Sequence, residues 1–493
     1  MDPAPSSPDP EALAASPAAG RLPRGVVARY ATGSLGTGGF ATLPGLVLVY
    51  YLTDSLGVAA LLAGAIVTLA KVWDVLIDPV IGGLSDRALA IRGSRRGQML
   101  VGAIGLPIAF VLTFAVPRGL APWAAALWVL IAFVAAATFF SLFQVPYIAL
   151  PAELTRGYDE RTRLLTWRVV VLTVAILLFG AGGPEIRDLF PDDAQLGYLV
   201  MAVVSAVLLW AGLWVGSSVA PRSEPGTTAS GAAGLAEPLP GARTGAQTAP
   251  SRRPRILSLV HYREGFEALR ESQPFRALLG AFMLQGLATG LMLASAQFVA
   301  TWVLHDQGAV TVLFVSLIAP ALLIAPVWRR ISDRIGKERT FRIASFVFLI
   351  ATVALVGMIW APGWWIVAPV ALAGSAYAGM QSLPLAMLPD VIGYSSGGGD
   401  ERAGGRAGIF GGVWTAGETI GMALGATVLT VVLAATGYVE SAAGVEVQQP
   451  GSAIAGIALS FSLLPAVLML LSLLAFGRYR LRRNDLEANG AVE

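Results

Sequence analysis

Lys71, Asp74 and Asp78 put one cation and two carboxylates into a single apolar run, Lys71-Val72-Trp73-Asp74-Val75-Leu76-Ile77-Asp78-Pro79. A charged group at the centre of a membrane span costs roughly 2.5–3.5 kcal/mol on insertion scales. Three of them within about two helical turns need a purpose beyond folding. At roughly 100° per residue the three positions fall within about 60° of one another, so they share one helix face. Two carboxylates one turn apart in a low dielectric cannot both stay ionised without a cation. Lys71, a proton or a Na⁺ ion can neutralise them. Binding such an ion changes the local charge, and with it the cost of moving this face between two access states. The bland alternative is a buried Lys71–Asp74 pair that only fixes helix packing, and it leaves Asp78 unexplained.

The elements that hold this run follow from composition. The chain has 493 residues, of which 55% are hydrophobic and 13% charged. A soluble domain carries about 25% charge, so the chain reads as a polytopic membrane protein. It has no Cys, which excludes disulfides and thiol chemistry. Its two His, His261 and His305, lie outside the apolar runs, which argues against a His-based metal site. Net charge +3 does not point to nucleic acid, because the basic residues sit in short loops between spans.

Runs long enough to cross roughly 30 Å of hydrocarbon are expected near 30–53, 60–84, 98–117, 121–149, 163–184 and 196–217, then near 275–302, 308–328, 339–361, 364–391, 407–435 and 453–477. Arg118 and Arg187 mark loops on one side. Loops 2–3, 4–5, 6–7, 8–9 and 10–11 and both tails hold nearly all the other basic residues, which predicts cytoplasmic termini. Residues 1–29 read as a disordered cytosolic N-tail and 478–493 as a cytosolic C-tail. Six-helix bundles are expected over 30–217 and 275–477, joined by a cytosolic linker over 218–274. Within that linker 221–255 is rich in Pro, Gly, Ala, Ser and Thr. Apolar residues at helical spacing over 256–269 predict either a surface helix or an extension of span 7.

Two short motifs recur at near-constant offset. Ser85-Asp86-Arg87 after span 2 returns as Ser332-Asp333-Arg334 after span 8. Pro146, Pro151 and Glu153 at the end of span 4 return as Pro384, Pro389 and Asp390 at the end of span 10. Parallel six-span repeats are the arrangement of major facilitators, with solute held between the halves. Asp86, Arg87, Asp333 and Arg334 are candidates for a charge-paired cytoplasmic gate; ordinary helix-end ion pairs are the alternative. Gln144, Arg168, Gln297, Gln381 and Glu418 are candidate solute contacts, and Glu418 is an unpaired acid in an apolar run. A Gln in a span also serves as a plain interhelical hydrogen-bonding group. Gly417, Gly421 and Gly425 have the spacing of a close helix contact. The Gly-rich stretch 397–405 lacks the Lys-Ser/Thr ending of a P-loop, so ATP binding is not supported.

Four stretches resemble the glycoside–pentoside–hexuronide:cation symporters, the melibiose-permease-like branch of the major facilitators. They are Tyr51-Leu52-Thr53-Asp54-Ser55-Leu56-Gly57, the run from Lys71 to Gly82, the segment from Val145-Pro146-Tyr147 through Pro151 to Glu160-Arg161 and Arg168, and Leu388-Pro389-Asp390-Val391-Ile392-Gly393-Tyr394. The resemblance implies an all-α membrane protein of twelve spans in two pseudo-symmetric bundles. It implies that Asp74 and Asp78 bind the coupling cation and that Arg168 stands near a sugar. The chain departs from the family at Gly38 or Gly39 and at Gln144, where acids are usual, at Ala416, where a lysine is usual, and at Ile77, where a polar residue is usual. The last change favours H⁺ over Na⁺, with either ion open.

These observations predict a cation-coupled symporter of a small glycoside-like solute in the bacterial plasma (inner) membrane, working as a monomer without a cofactor. A lysolipid or other amphiphile as cargo, and a non-transporting sensor or assembly factor, are the alternatives. An intramembrane enzyme would need a nucleophile–base pair or metal ligands at membrane depth, and the sequence offers none.

Overall fold

In a computed structural model of the chain the described residues are 21–155, 158–221, 270, 272–395, 400–442, 447–479 and 481. They form α1 (Arg24–Tyr50, continued by a π-helical turn Tyr51–Ser55), α2 (Ala60–Arg92), α3 (Arg96–Phe114), α4 (Pro122–Leu154), α5 (Tyr158–Asp188) and α6 (Ala194–Ser217). The second half contains α7 (Gln273–Phe298, continued by a π-helical turn Val299–Val303), α8 (Ala309–Ile335), α9 (Lys337–Leu355), α10 (Val367–Ser395) and α11 (Asp400–Ala435). The last span is broken at Ser462 into α12 (Gly451–Phe461) and α13 (Leu463–Phe476). Among the described residues twelve segments are long and apolar enough to cross a membrane. The all-α, twelve-span expectation holds.

The ends differ from the expectation in a consistent way. α1 starts at Arg24, inside the stretch 1–29 read as a tail. α2 runs on to Arg92 and α8 to Ile335, so the Ser-Asp-Arg motifs lie inside the helices and not after them. Apolarity marks where hydrocarbon ends, whereas a helix continues into water while its own hydrogen bonds hold. Glycines make the stops. Gly93 has φ 63°, a left-handed conformation, and its N–H reaches Leu89 O at 2.8 Å. Gly336, with φ 89°, closes α8 onto Ser332 O at 2.9 Å. The expected helix over 256–269 lies outside the described residues.

α1 packs on α5 and α6, and α3 on α4 and α6. In the second half α7 packs on α11 and α13, and α10 on α8 and α9. Gly417, Gly421 and Gly425 form the α11 face against α7, as their spacing predicts. A Cβ at Gly425 would collide with the backbone of Gly290 and Leu291, and one at Gly421 would sit 2.8 Å from Met283 O. Backbone atoms cannot swing aside, and overpacking of this kind costs about 1–3 kcal/mol or more. Gly425→Val is expected to lower the melting temperature of the purified protein in detergent by several degrees. An unchanged melting temperature in a thermal scan would show that α7 and α11 are free to separate.

The halves are joined at the end remote from the chain termini. Thr68 and Thr427 hydroxyls meet at 2.5 Å between α2 and α11. Gly64 of α2 seats Thr430, and Gly180 of α5 seats Phe314 of α8. Thr311 Oγ1 of α8 donates to Ala181 O at 3.3 Å. At the opposite end two ion-pair groups each stay within one half. Arg95 bridges Asp86 and Glu153, and Lys337 pairs with Asp390. The two halves therefore meet at the Thr68–Thr427 end.

Candidate functional site

The α2 run folds as its spacing predicts. Lys71 Nζ donates to Asp74 Oδ2 at 3.1 Å. Asp74 is 7% exposed, and its Oδ1 is buried with no hydrogen-bond partner. Leaving such an oxygen unpaired costs about 1–3 kcal/mol or more for a charged group. A lone Lys71–Asp74 packing pair would have no reason to carry that cost. Asp78, one turn on, is exposed. The Ser141 hydroxyl of α4 is its interacting neighbour. Trp73 Nε1 donates to Thr138 Oγ1 at 2.8 Å and fixes the same stretch of α2 against α4. One buried carboxylate oxygen without a donor, a second carboxylate and a hydroxyl suit a proton or a small hard cation. Ser141 supplies an oxygen that the run itself lacks at Ile77.

Two further groups stand in the first half. Gln144 Oε1 and Arg168 Nε are both buried without hydrogen-bond partners. The Arg168 guanidinium lies 5.5 Å over the Tyr147 ring. Tyr147 is held from α1: its hydroxyl meets Ser34 Oγ at 2.9 Å and donates to Tyr30 O at 2.6 Å, and its ring stacks on Tyr30. A Cβ at Gly33 would lie 2.7 Å from that ring, so Gly33 gives Tyr147 the room to reach across α1. Ser34, Tyr147 and Ser141 are functional candidates that helix periodicity could not select, because their meaning lies in neighbours on other helices.

In the second half Gln381 Nε2 donates to Tyr377 Oη at 2.8 Å on α10. Glu418 of α11 is close enough to act electrostatically on the same phenol. Glu418 has no ion-pair partner among the described residues. Gln297, like Gln144, has a buried Oε1 with no hydrogen-bond partner. It has no exposed surface, and its Nε2 donates to Thr301 Oγ1 at 3.3 Å.

The proposed gate residues occupy the end opposite the Thr68–Thr427 contact. Asp86 pairs with Arg95 at 2.8 Å, and Arg95 also reaches Glu153 at 2.5 Å and Ser85 Oγ at 2.6 Å. Lys337 and Asp390, 2.6 Å apart, form the counterpart in the second half. Arg87, Asp333 and Arg334 are exposed and make no ion pair among the described residues. Removing Arg95 leaves the buried Ser85 hydroxyl and the half-buried Glu153 carboxylate without their shared donor, and frees the exposed Asp86. Arg95→Ala is expected to cost about 1–3 kcal/mol, read as a lower midpoint in chemical denaturation. Arg95→Lys should recover part of it.

The end where the halves meet holds a charged group that the span pattern did not single out. Asp54, at the end of α1, accepts from Thr53 Oγ1 and from Tyr438 Oη, each at 2.5 Å. Tyr438 belongs to the segment after α11, so this bond joins the halves. Trp302 Nε1 donates to Tyr438 Oη at 2.9 Å. Burial and the nearby Asp54 carboxylate push the Tyr438 phenol well above its ordinary value, which keeps it a donor. Ser441 N–H donates to Thr53 O at 3.0 Å, and Ser441 Oγ to Asp54 O at 3.2 Å. Glu440 Oε1 accepts from the Ala60 N–H at 2.9 Å and so caps α2.

With this geometry in place, similarity to known proteins can be compared. A family described as MFS/sugar transport protein matches residues 29–237 and 243–483. An uncharacterized symporter of Synechocystis sp. is 25% identical over 512 residues, covering 90% of this chain and 91% of that one. A glucuronide carrier protein homolog of Escherichia coli is 25% identical over 466 residues, covering 92% and 91%. Among solved structures, a D-xylose–proton symporter superposes with a TM-score of 0.61 at 14% identity, covering 92% of this chain and 97% of that one. That last likeness concerns the fold.

Proposed function

The chain belongs to the MFS/sugar transport protein family, and from that premise we propose that it is a cation-coupled symporter of a small glycoside-like solute, working by alternating access. The observation that carries the reading is Asp74 Oδ1, a carboxylate oxygen enclosed at membrane depth with no donor. A proton or Na⁺ at Asp74 and Asp78 satisfies that oxygen and offsets the second negative charge. Ser141 is the third oxygen within reach. Lys71 keeps the other Asp74 oxygen engaged, so the cation meets one free oxygen and not two.

In this reading the solute binds between the halves, with Gln144 and Arg168 on one side and Gln381 and Glu418 on the other. Gln297, enclosed beside Thr301 with its Oε1 unpartnered, is the remaining candidate contact. The basic residues at the gate end favour a cytoplasmic side for it and for both termini. The conformation is then inward-open, with Asp54, Tyr438 and Ser441 closing the outer end. Asp86, Arg87, Asp333 and Arg334 are the surfaces that approach when the inner end closes. The coupling ion biases the equilibrium because it binds the two access states with different affinity.

The test is uptake of labelled glycosides into proteoliposomes under an imposed pH gradient, an imposed Na⁺ gradient, or neither. Accumulation above the external concentration with one gradient identifies the ion. Equal uptake in all three arms would end the coupling assignment.

A further inference from the structure

The two sides of the proposed solute site carry opposite unpaired charges. Arg168 makes no ion pair among the described residues, and its Nε is buried without an acceptor. Glu418 likewise has no cationic partner there, and its charged influence falls on Tyr377. The placement of Glu418 follows from the packing of α11. Gly417, Gly421 and Gly425 face α7, while Thr427 and Thr430 meet α2. Ile420, Leu424 and Val431 are exposed apolar residues on a third arc. At roughly 100° per residue, Glu418, Thr415 and Thr419 share the remaining arc, within about 100° of one another. That arc is polar, and Glu418 on it acts on Tyr377, the phenol that accepts from Gln381. The described basic residues of this half stand at or near the ends of its helices, away from the middle of α11.

A guanidinium and a carboxylate at membrane depth each carry a desolvation cost that a partner offsets. Here one stands on each half. We propose that the solute is zwitterionic, with an anionic group held by Arg168 and an ammonium held by Glu418, both directed by the neighbours described above. This rests on the reading that solute binds between the halves. Arg168 lies over the Tyr147 ring in the first half and Glu418 acts on Tyr377 in the second, so a solute carrying both groups would bridge the halves. A solute with only one of them leaves the other charge uncompensated. An amino sugar acid has this chemistry in a soluble form, and a lysophospholipid with an ethanolamine headgroup has it in an amphiphile.

The experiment is competition and counterflow in proteoliposomes of the full chain. The probes are methyl glucoside, glucuronate, glucosamine, 2-amino-2-deoxyglucuronate and lysophosphatidylethanolamine. The expected result is that a zwitterion is preferred over its singly charged and neutral analogues by about tenfold or more, the scale of a charge-assisted hydrogen bond. Glu418→Gln should remove the advantage of the ammonium, and Arg168→Gln that of the anionic group. Preference for the amino sugar acid assigns a soluble solute, and preference for the lysophospholipid assigns a membrane one; both support the charge pattern. The wild-type ranking decides the matter even where a variant fails to fold. Coupled uptake of methyl glucoside or glucuronate with no advantage for either zwitterion would overturn the proposal and leave glycoside symport standing. A wild-type zwitterion preference that Glu418→Gln leaves intact in folded protein would overturn the role of Glu418. Movement of none of the five would overturn both readings.

Discussion

Asp78→Asn is expected to lose all gradient-driven accumulation, with the internal-to-external solute ratio falling to about one. The variant should still insert, fold and bind solute. It is the cleaner of two substitutions, because it removes one carboxylate and leaves the 3.1 Å Lys71–Asp74 pair in place. Asp74→Asn should abolish accumulation as well, but it also strips Lys71 of its partner inside the membrane. Breaking a buried pair by removing one member costs roughly 3–5 kcal/mol, so lower yield and a lower melting temperature should accompany the transport defect. The two variants thus separate coupling from stability. Counterflow reads translocation without a gradient, and Asp78→Asn should retain it. A wild-type accumulation ratio in Asp78→Asn would show that the exposed carboxylate carries no cation.

The second large effect is expected at the closed end. Tyr438→Phe removes the hydroxyl that gives Asp54 its donor from the other half and also loses the acceptor for Trp302. A hydrogen bond to a charged group contributes about 1.5–3 kcal/mol, which is roughly a tenfold to hundredfold change in an equilibrium constant. The change falls on the state described here, so the population should move toward one in which this end is open. The Ser441 amide, bonded to Thr53 O at 3.0 Å in this state, reports the shift directly. Its hydrogen exchange should speed up by a comparable factor in Tyr438→Phe. Exchange as slow as in the wild type would mean that the remaining Ser441 and Glu440 bonds hold the end shut without the phenol.

The spans and the α2 charge run were legible because each is a local property. A run of apolar residues reports hydrocarbon thickness, and a spacing of three and four reports one helix face. Gly417, Gly421 and Gly425 were legible for the same reason. What was not legible depends on distant partners. Asp54 reads as the polar end of a span until Tyr438 is placed over it. Ser141 is one hydroxyl in an apolar helix until α4 is laid beside Asp78. Arg95 reads as one more basic residue of a cytosolic loop, whereas its guanidinium is what gathers Asp86 and Glu153. The helices outrun the apolar runs because apolarity marks where hydrocarbon ends, whereas Gly93 and Gly336 stop α2 and α8.

The contact between Thr68 and Thr427 has a practical consequence. These two side chains come from opposite halves, meet at the closed end, and touch through their terminal oxygens at 2.5 Å. The chain contains no cysteine. Replacing this one pair would therefore install a single possible covalent bridge with no competing thiol anywhere in the protein. Oxidation would arrest the molecule in the conformation described here, and a reductant would release it. The protein thus offers a reversible mechanical stop, at a place where the two bundles already touch.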